Sequence, residues 1–172
     1  MPRRGFCLLC LLCTITISGA SKIIHKNITV KGHITQTLDY CGGAMPSPEV
    51  LSLLKTPQAF AQKVIYIKIG SSNKESATVV KKLMTDEQGN FSVVLTSGMV
   101  YSFVEEWKGG PLQIPKDTEY TKWDPACFRE RYSKADFVLK VKNTGNPVVN
   151  INYHKPCFYR PYCGEYSGPL PP

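Results

Sequence analysis

An all-β fold is the architecture this sequence predicts: a β-sandwich of seven short strands, with one or two short helices and an irregular C-terminal tail. Three observations carry it. Apolar and polar residues alternate with period two through short runs rich in Val, Ile, Tyr and Phe. Gly, Asn, Asp and Pro clusters with turn chemistry separate those runs at the spacing of a sandwich. Beyond residue 20 no apolar run approaches the roughly 18 residues that a membrane helix needs.

The elements follow in order. Residues 28–38, ITVKGHITQTL, read as the first strand, with Gly32 allowing a bend or a close backbone approach. Ser47 is a candidate N-cap and Pro48 suits the first helical position, so VLSLL becomes a two-turn helix that Thr56-Pro57 stops. Residues 63–69, KVIYIKI, form the clearest strand, with Val64, Tyr66 and Lys68 on one face and Ile65, Ile67 and Ile69 on the other. Strands at 79–84 and 91–95 flank a turn in which Asp86 bonds its own backbone and Gly89 takes a positive φ. Ser97-Gly98 makes the next turn, before a strand at 100–107. Residues 124–131 form a short capped helix, and strands at 135–142 and 148–154 close as a hairpin.

The first 20 residues, MPRRGFCLLCLLCTITISGA, have the three parts of a secretory leader. Arg3 and Arg4 form the basic region, residues 6–17 the apolar region, and Ser18-Gly19-Ala20 the small-residue site for cleavage between Ala20 and Ser21. The strongly apolar stretch favours general secretion over a twin-arginine route. Acylation is the alternative, but Cys10 and Cys13 each follow a leucine rather than a small residue. The expected organisation is a leader at 1–20, a sandwich at 21–156 and a Pro/Tyr-rich, disulfide-linked tail at 157–172 packed on the same domain. The expected location is secreted or periplasmic, with lipid anchoring to the envelope as the alternative.

The full chain of 172 residues carries 21 Lys+Arg against 13 Asp+Glu, a formal net charge of +8. Loss of the leader leaves 152 residues at +6, enough to bury one core. Acids interleave with the basic groups Lys81-Lys82 and Arg129, Arg131, Lys134, which argues for a solvated surface and against a nucleic-acid partner. Loss of the leader also leaves four cysteines, Cys41, Cys127, Cys157 and Cys163, an even number that reads as two disulfides in an exported chain. The expectation leans towards a local Cys157–Cys163 bridge with Cys41–Cys127; pairing Cys41 with Cys157 or Cys163 stays open. A metal site at His154, Cys157 and Cys163, or at His33 and Cys41, is the competing reading, but it matches no zinc spacing. No metal or other cofactor is expected.

Gly32 and Ile34, the KVIYIK strand at 63–68, Thr85-Asp86-x-x-Gly89-x-Phe91-x-Val93, and Ser97-Gly98-x-Val100-Tyr101 together form a pattern. It resembles the carboxypeptidase-regulatory-like, or transthyretin-like, β-sandwich and the B-type domains of collagen adhesins, over residues 30–106. The resemblance implies an Ig-like or transthyretin-like sandwich, an exported bacterial protein of the Bacteroidetes type, and an accessory module without catalytic residues. The adhesin-type relatives also imply a Lys–Asn isopeptide bond, for which Lys31, Asn150 or Asn152, and Glu105 or Glu106 are the candidates. Solvated glutamates and stapling by disulfides are the alternative. The segments YCGGA and CGEYSGPLPP depart from the pattern.

No hydrolase, P-loop or dinucleotide motif is present, and the three histidines are scattered. The expected function is non-catalytic: binding or assembly in the cell envelope, with a glycan or protein partner. The alternatives are an envelope enzyme acting on glycans, for which Glu105 with Asp124 is the nominal carboxylate pair, and a metal-binding export protein. The candidate binding residues are aromatic: Trp107, Trp123, Tyr153, Phe158, Tyr159, Tyr162 and Tyr166. Flat rings on a disulfide-closed loop receive sugars or peptides at low entropic cost; covering the open end of the sandwich is their other use. Two N-glycosylation acceptor patterns, at Asn27 and Asn90, complete the inventory.

Overall fold

The computed structural model describes residues 25–158 and 161–169. The leader, its Ala20–Ser21 cleavage site and the candidate ring Tyr159 lie outside the described residues. The chain forms β1 (Asn27–Leu38), α1 (Pro48–Lys55), β2 (Gln58–Ala59), β3 (Val64–Ile69), β4 (Val79–Met84), β5 (Asn90–Thr96) and β6 (Val100–Glu105). A 3-10 turn at Glu106–Lys108 follows, then β7 (Thr121–Trp123), α2 (Pro125–Ser133), β8 (Phe137–Lys140), β9 (Val148–Lys155) and β10 (Gly164–Tyr166).

These strands make an all-β sandwich. In the first sheet β1 is the spine. It pairs antiparallel with β5 over residues 27–33 and with β2 at Thr35 and Gln36, and parallel with β9 over residues 31–38. The second sheet has the order β4-β3-β6-β8, antiparallel throughout. Val30 and Ile34 of β1, Ile65 and Ile67 of β3, and Phe103 of β6 meet between the sheets without solvent exposure. β7 and β10 form a separate two-stranded ribbon outside the sandwich.

The 86–89 turn forms as its residues dictate. Asp86 Oδ1 accepts from the backbone N–H of Gln88 (2.9 Å) and Asn90 (2.7 Å), and Gly89 has φ +79°. The Asn90 N–H holds the Asp86 carboxyl below its ordinary pKa. A side chain at 89 would also collide with the Ile34 carbonyl, 2.3 Å from an added Cβ. Ser47 caps α1 by accepting from the Val50 N–H, and no residue of that helix is buried.

The structure corrects several expectations. Strands β8 and β9 are not a hairpin: β8 pairs with β6 in one sheet and β9 with β1 in the other, so the 141–147 connection crosses the sandwich. Lys68 shares a face of β3 with Tyr66, as the alternation predicts, but the Lys108–Gly109 turn covers that face, so Lys68 is buried, while Ile69 at the end of the strand is 40% exposed. β6 ends at Glu105 rather than at Trp107, and the tail is not wholly irregular, since β10 lies within it. The disulfides are Cys41–Cys157 and Cys127–Cys163, with Cα separations of 5.4 and 5.3 Å. The local pairing is therefore overturned. Parallel β1 and β9 leave the sheet at the same end, which brings Cys41 and Cys157 together.

Tyr153, a candidate binding ring, belongs to the core instead. It points inward from β9 with Val149 and Ile151, and its ring lies 4.9 Å from that of Phe60. Its hydroxyl is buried without a hydrogen bond. Burial first, and then the negative charges of Asp136 and Glu105, push the phenol far above its ordinary pKa.

Two predictions follow from this packing. Replacing Cys41 and Cys157 by serine removes a 116-residue link, worth about 5 kcal/mol in the chain-entropy model; the Cys127/Cys163 pair, separated by 36 residues, is worth about 4 kcal/mol. Denaturant midpoints should fall in that order, and non-reducing peptide mapping should recover these two links alone. Tyr153→Phe removes an unsatisfied buried hydroxyl and should stabilise at neutral pH by up to about 1 kcal/mol. Because the folded phenol titrates above the unfolded one, native stability is intact below pH 10.0 and falls as pH rises beyond it. The variant should show a shallower alkaline decline in urea titrations at pH above 10.

Candidate functional site

Four of the candidate aromatics converge at the end of the sandwich where β1 and β9 exit. Trp107, Trp123, Phe158 and Tyr162 line one cleft of about 300 Å³, together with Phe128 and Arg131 of α2. Phe128 sits between the two indoles, edge-on to Trp107 (6.5 Å between centroids) and to Trp123 (5.5 Å). Trp107, Phe158 and Tyr162 are 39%, 58% and 38% exposed, so these rings do not close the core. Tyr166 lies one step outside, 5.6 Å from Phe158 and 6.4 Å from Tyr120.

Local chemistry places each ring. Asp124 caps α2, its Oδ1 accepting from the N–H groups of Ala126 (2.8 Å) and Cys127 (3.2 Å), and Pro125 occupies the first turn. Phe128 and Arg131, three residues apart, then share one helix face. Trp123 directly precedes the cap; its backbone N–H donates to Asp117 Oδ1 at 2.9 Å, and it pairs across the ribbon with Gly164. A Cβ at Gly164 would stand 2.7 Å from Trp123 Cε3 and Cζ3, so only glycine lets the ring lie there. Cys127–Cys163 fastens the helix to the tail, and Cys41–Cys157 fastens the tail to the sandwich.

A buried polar cluster fixes α2 and the Trp107 turn against the second sheet. The Lys108 carbonyl accepts from Lys68 Nζ (3.0 Å) and from Asn73 Nδ2 (3.1 Å), and Asn73 Nδ2 also reaches the Tyr132 carbonyl at 2.8 Å. Lys108 Nζ pairs with Asp136 and donates to the Lys134 carbonyl at 3.0 Å. Burial holds the Lys68 ammonium below its ordinary pKa. The regular alternation of β3 turns Lys68 into this cluster, on the face that it shares with Tyr66.

The polar groups around the cleft are largely engaged within the protein. Trp123 Nε1 is buried and has no partner. The Arg131 guanidinium lies over the Tyr162 ring, 3.6 Å from its centroid, and among the described residues it has no carboxylate at ion-pair distance. The cleft's carboxylate, Glu105, is committed to Lys155. With Asp124 engaged as a helix cap, the nominal Glu105–Asp124 pair offers no free acid and base. The cysteines of the alternative metal sites are all in disulfides, while His33 bonds the Gln88 carbonyl (2.9 Å) and His154 pairs with Asp39 (3.2 Å). For the isopeptide, Lys31, Asn150 and Asn152 all face solvent, and Thr35 Oγ1 donates to Asn152 Oδ1 at 2.9 Å. The burial that this chemistry requires is absent at those residues.

The sequence reading missed Phe128 and Arg131, although both were legible once 124–131 was read as a capped helix with a shared i, i+3 face.

No family model and no curated protein matches the chain. Among solved structures it is similar to the shaft pilin SpaA from Lactobacillus rhamnosus GG, at 15% identity and a TM-score of 0.37, over 75% of this chain and 51% of that one. It spans about half the length of that pilin. The N-terminal domain of the same pilin matches at 16% identity and a TM-score of 0.35, over 73% of this chain and 94% of that domain. Among the described residues no helix is long and apolar enough to cross a membrane.

Gly164→Ala tests the architecture of the cleft. Its methyl group should displace the Trp123 indole, shifting that residue's fluorescence and Nε1–H resonance, while the melting temperature of the sandwich moves by no more than a few degrees.

Proposed function

We propose that this protein is an exported, non-catalytic binding module of the cell envelope, and that the Trp107/Trp123/Phe128 cleft is its contact with a partner. One observation carries the reading: exposed rings, outside the core, are held in fixed array by two disulfides and a capped helix. Ordering such a surface in advance lowers the entropic cost of binding, and partly buried aromatics with a neighbouring arginine are the residues that most often dominate binding energy. The organisation that goes with it is a leader at 1–20, a sandwich from 21, and a tail from 157 that builds one wall of the cleft. The T-D-x-x-G-x-F turn, with its Asp86 bonding and Gly89 backbone, supports membership of the transthyretin-like accessory modules.

Intrinsic tryptophan fluorescence, titrated with a panel of defined glycans and extended peptides, tests this. A true ligand should change the emission, and Trp107→Ala should weaken it at least tenfold, about 1.4 kcal/mol. Binding unaltered in Trp107→Ala would place the contact elsewhere, and product formation from a glycan would favour the enzyme reading.

A further inference from the structure

Resting on the reading of Trp107 as a contact residue, we infer that the partner is a neutral glycan, and that a separate depression beside that ring holds one of its sugar units. The depression, of about 510 Å³, lies at the open end of the sandwich and shares Trp107, Glu105 and Lys155 with the cleft. Its lining breaks a pattern. Along β1 the inward residues Val30 and Ile34 give way to Gln36, and along β6 Tyr101 and Phe103 give way to Glu105. Along β9, Val149, Ile151 and Tyr153 give way to Lys155. Lys63 stands two residues before the inward Ile65, at the start of β3. At the opposite end the inward rows stay apolar to their last positions: Ile28 pairs with Leu95, and Met99 and Val141 complete the closure. Strands of both sheets therefore turn polar at one end only, and all four polar residues line the depression.

These groups are held in place yet open to a ligand. Lys155 pairs with Glu105 through one carboxylate oxygen, and its ammonium lies 5.1 Å from the Phe60 ring centroid and 5.3 Å from that of Tyr153. The second oxygen of Glu105 is left to accept. Among the described residues, no hydrogen bond or ion pair engages the side chains of Gln36, Lys63 or Glu106. Gln36 is half-buried, and Lys63 and Glu106 are exposed. Acceptors from Glu105, Glu106 and Gln36 therefore surround the same space as donors from Lys63, Lys155 and Gln36.

The balance of these groups selects the ligand. Two ammoniums, Lys63 and Lys155, stand against two carboxylates, Glu105 and Glu106. An anion would meet the carboxylates and a cation the lysines, and either would find as much repulsion as attraction. A neutral molecule whose polar groups each donate and accept satisfies both sets, and the hydroxyl is such a group. A sugar ring carries hydroxyls around its edge and C–H groups on its faces. Its edge matches the amide, ammonium and carboxylate groups, and its face matches the part-exposed indole of Trp107. The volume falls within the roughly 300–1,000 Å³ of small-ligand sites. Because Trp107 also borders the cleft, further units of the glycan extend past that ring towards Phe128 and Trp123.

The test uses the exported chain with its disulfides intact. Calorimetric titration with neutral oligosaccharides (N-acetylated chito-, cello-, xylo- and manno-oligosaccharides) should find at least one that binds. Fully deacetylated chito-oligosaccharide, a cation, and oligogalacturonate, an anion, should bind at least about tenfold more weakly. Raising the salt concentration should leave the affinity for the neutral sugar within about twofold, since no net charge is neutralised. Gln36→Leu continues the apolar row of β1, so the thermal midpoint should hold or rise while sugar affinity falls about tenfold. Lys63→Met and Glu106→Gln, at exposed positions, should each weaken the sugar about fivefold with the midpoint unchanged. Neutral-sugar binding that depends on Trp107 but is indifferent to all three substitutions overturns the inference and leaves the cleft as the contact. So does Trp107-dependent binding of a charged sugar or an extended peptide in preference to every neutral one. If neither sugar nor peptide binds, both readings fall.

Discussion

The parallel pairing of β1 with β9, the first and last strands of the sandwich, is the constraint on which the rest of this structure depends. β1 and β9 run side by side over eight residue pairs, from Lys31 with Val148 to Leu38 with Lys155. Parallel neighbours finish at the same end of a sheet, so the segments that follow them emerge together. That is why Cys41 and Cys157 come within bridging distance although 116 residues separate them. It also delivers Lys155 to Glu105 at the end of β6, which couples the two sheets at the mouth of the cleft. A hairpin between β8 and β9 would have sent the tail to another part of the molecule.

Stability and recognition then occupy different layers. The interior between the sheets is apolar and is closed by residues such as Val30, Ile34, Ile65 and Phe103. Outside it, the excursion from 106 to 136 carries the aromatic rings, and it is attached through the Lys68/Asn73/Lys108/Asp136 cluster together with the buried Tyr132 ring. Hydrogen bonds to two carbonyls, Lys108 and Tyr132, meet at one asparagine side chain. Such directional bonds orient the excursion more sharply than apolar contact alone, because an unmatched donor or a misplaced ammonium in that environment is costly. Orientation is what a pre-formed binding surface requires.

Much of the fold was legible because its signals are local. Period-two runs marked β1, β3, β4, β5, β6, β8 and β9, and the Asp86–Gly89 turn and the Ser47 and Asp124 caps each rest on bonds spanning a few residues. What escaped was non-local. Nothing near Cys157 in sequence shows that its partner is Cys41, since that follows from a strand pairing across more than a hundred residues. The burial of Lys68 escaped because the turn that covers its face of β3 comes from residues 108–109, some 40 positions away in sequence. Tyr153 was misplaced for a different reason: Val149, Ile151 and Tyr153 share a face of one strand, so its inward direction was there to be read.

The cleft illustrates why composition is a poor guide to what a surface recognises. Counting aromatic residues favoured a sugar or a peptide equally, because both stack on flat rings. The distinction lies in how the polar groups around the rings are engaged, which only the folded arrangement reveals. Glu105 is paired with a lysine that β9 brings from 50 residues away, so a carboxylate lining the cleft is engaged within the protein. Gly164 leaves the space in which the indole of Trp123 lies against the tail. The chemistry of the cleft is therefore a property of the assembled site, written partly by residues that come from distant parts of the sequence.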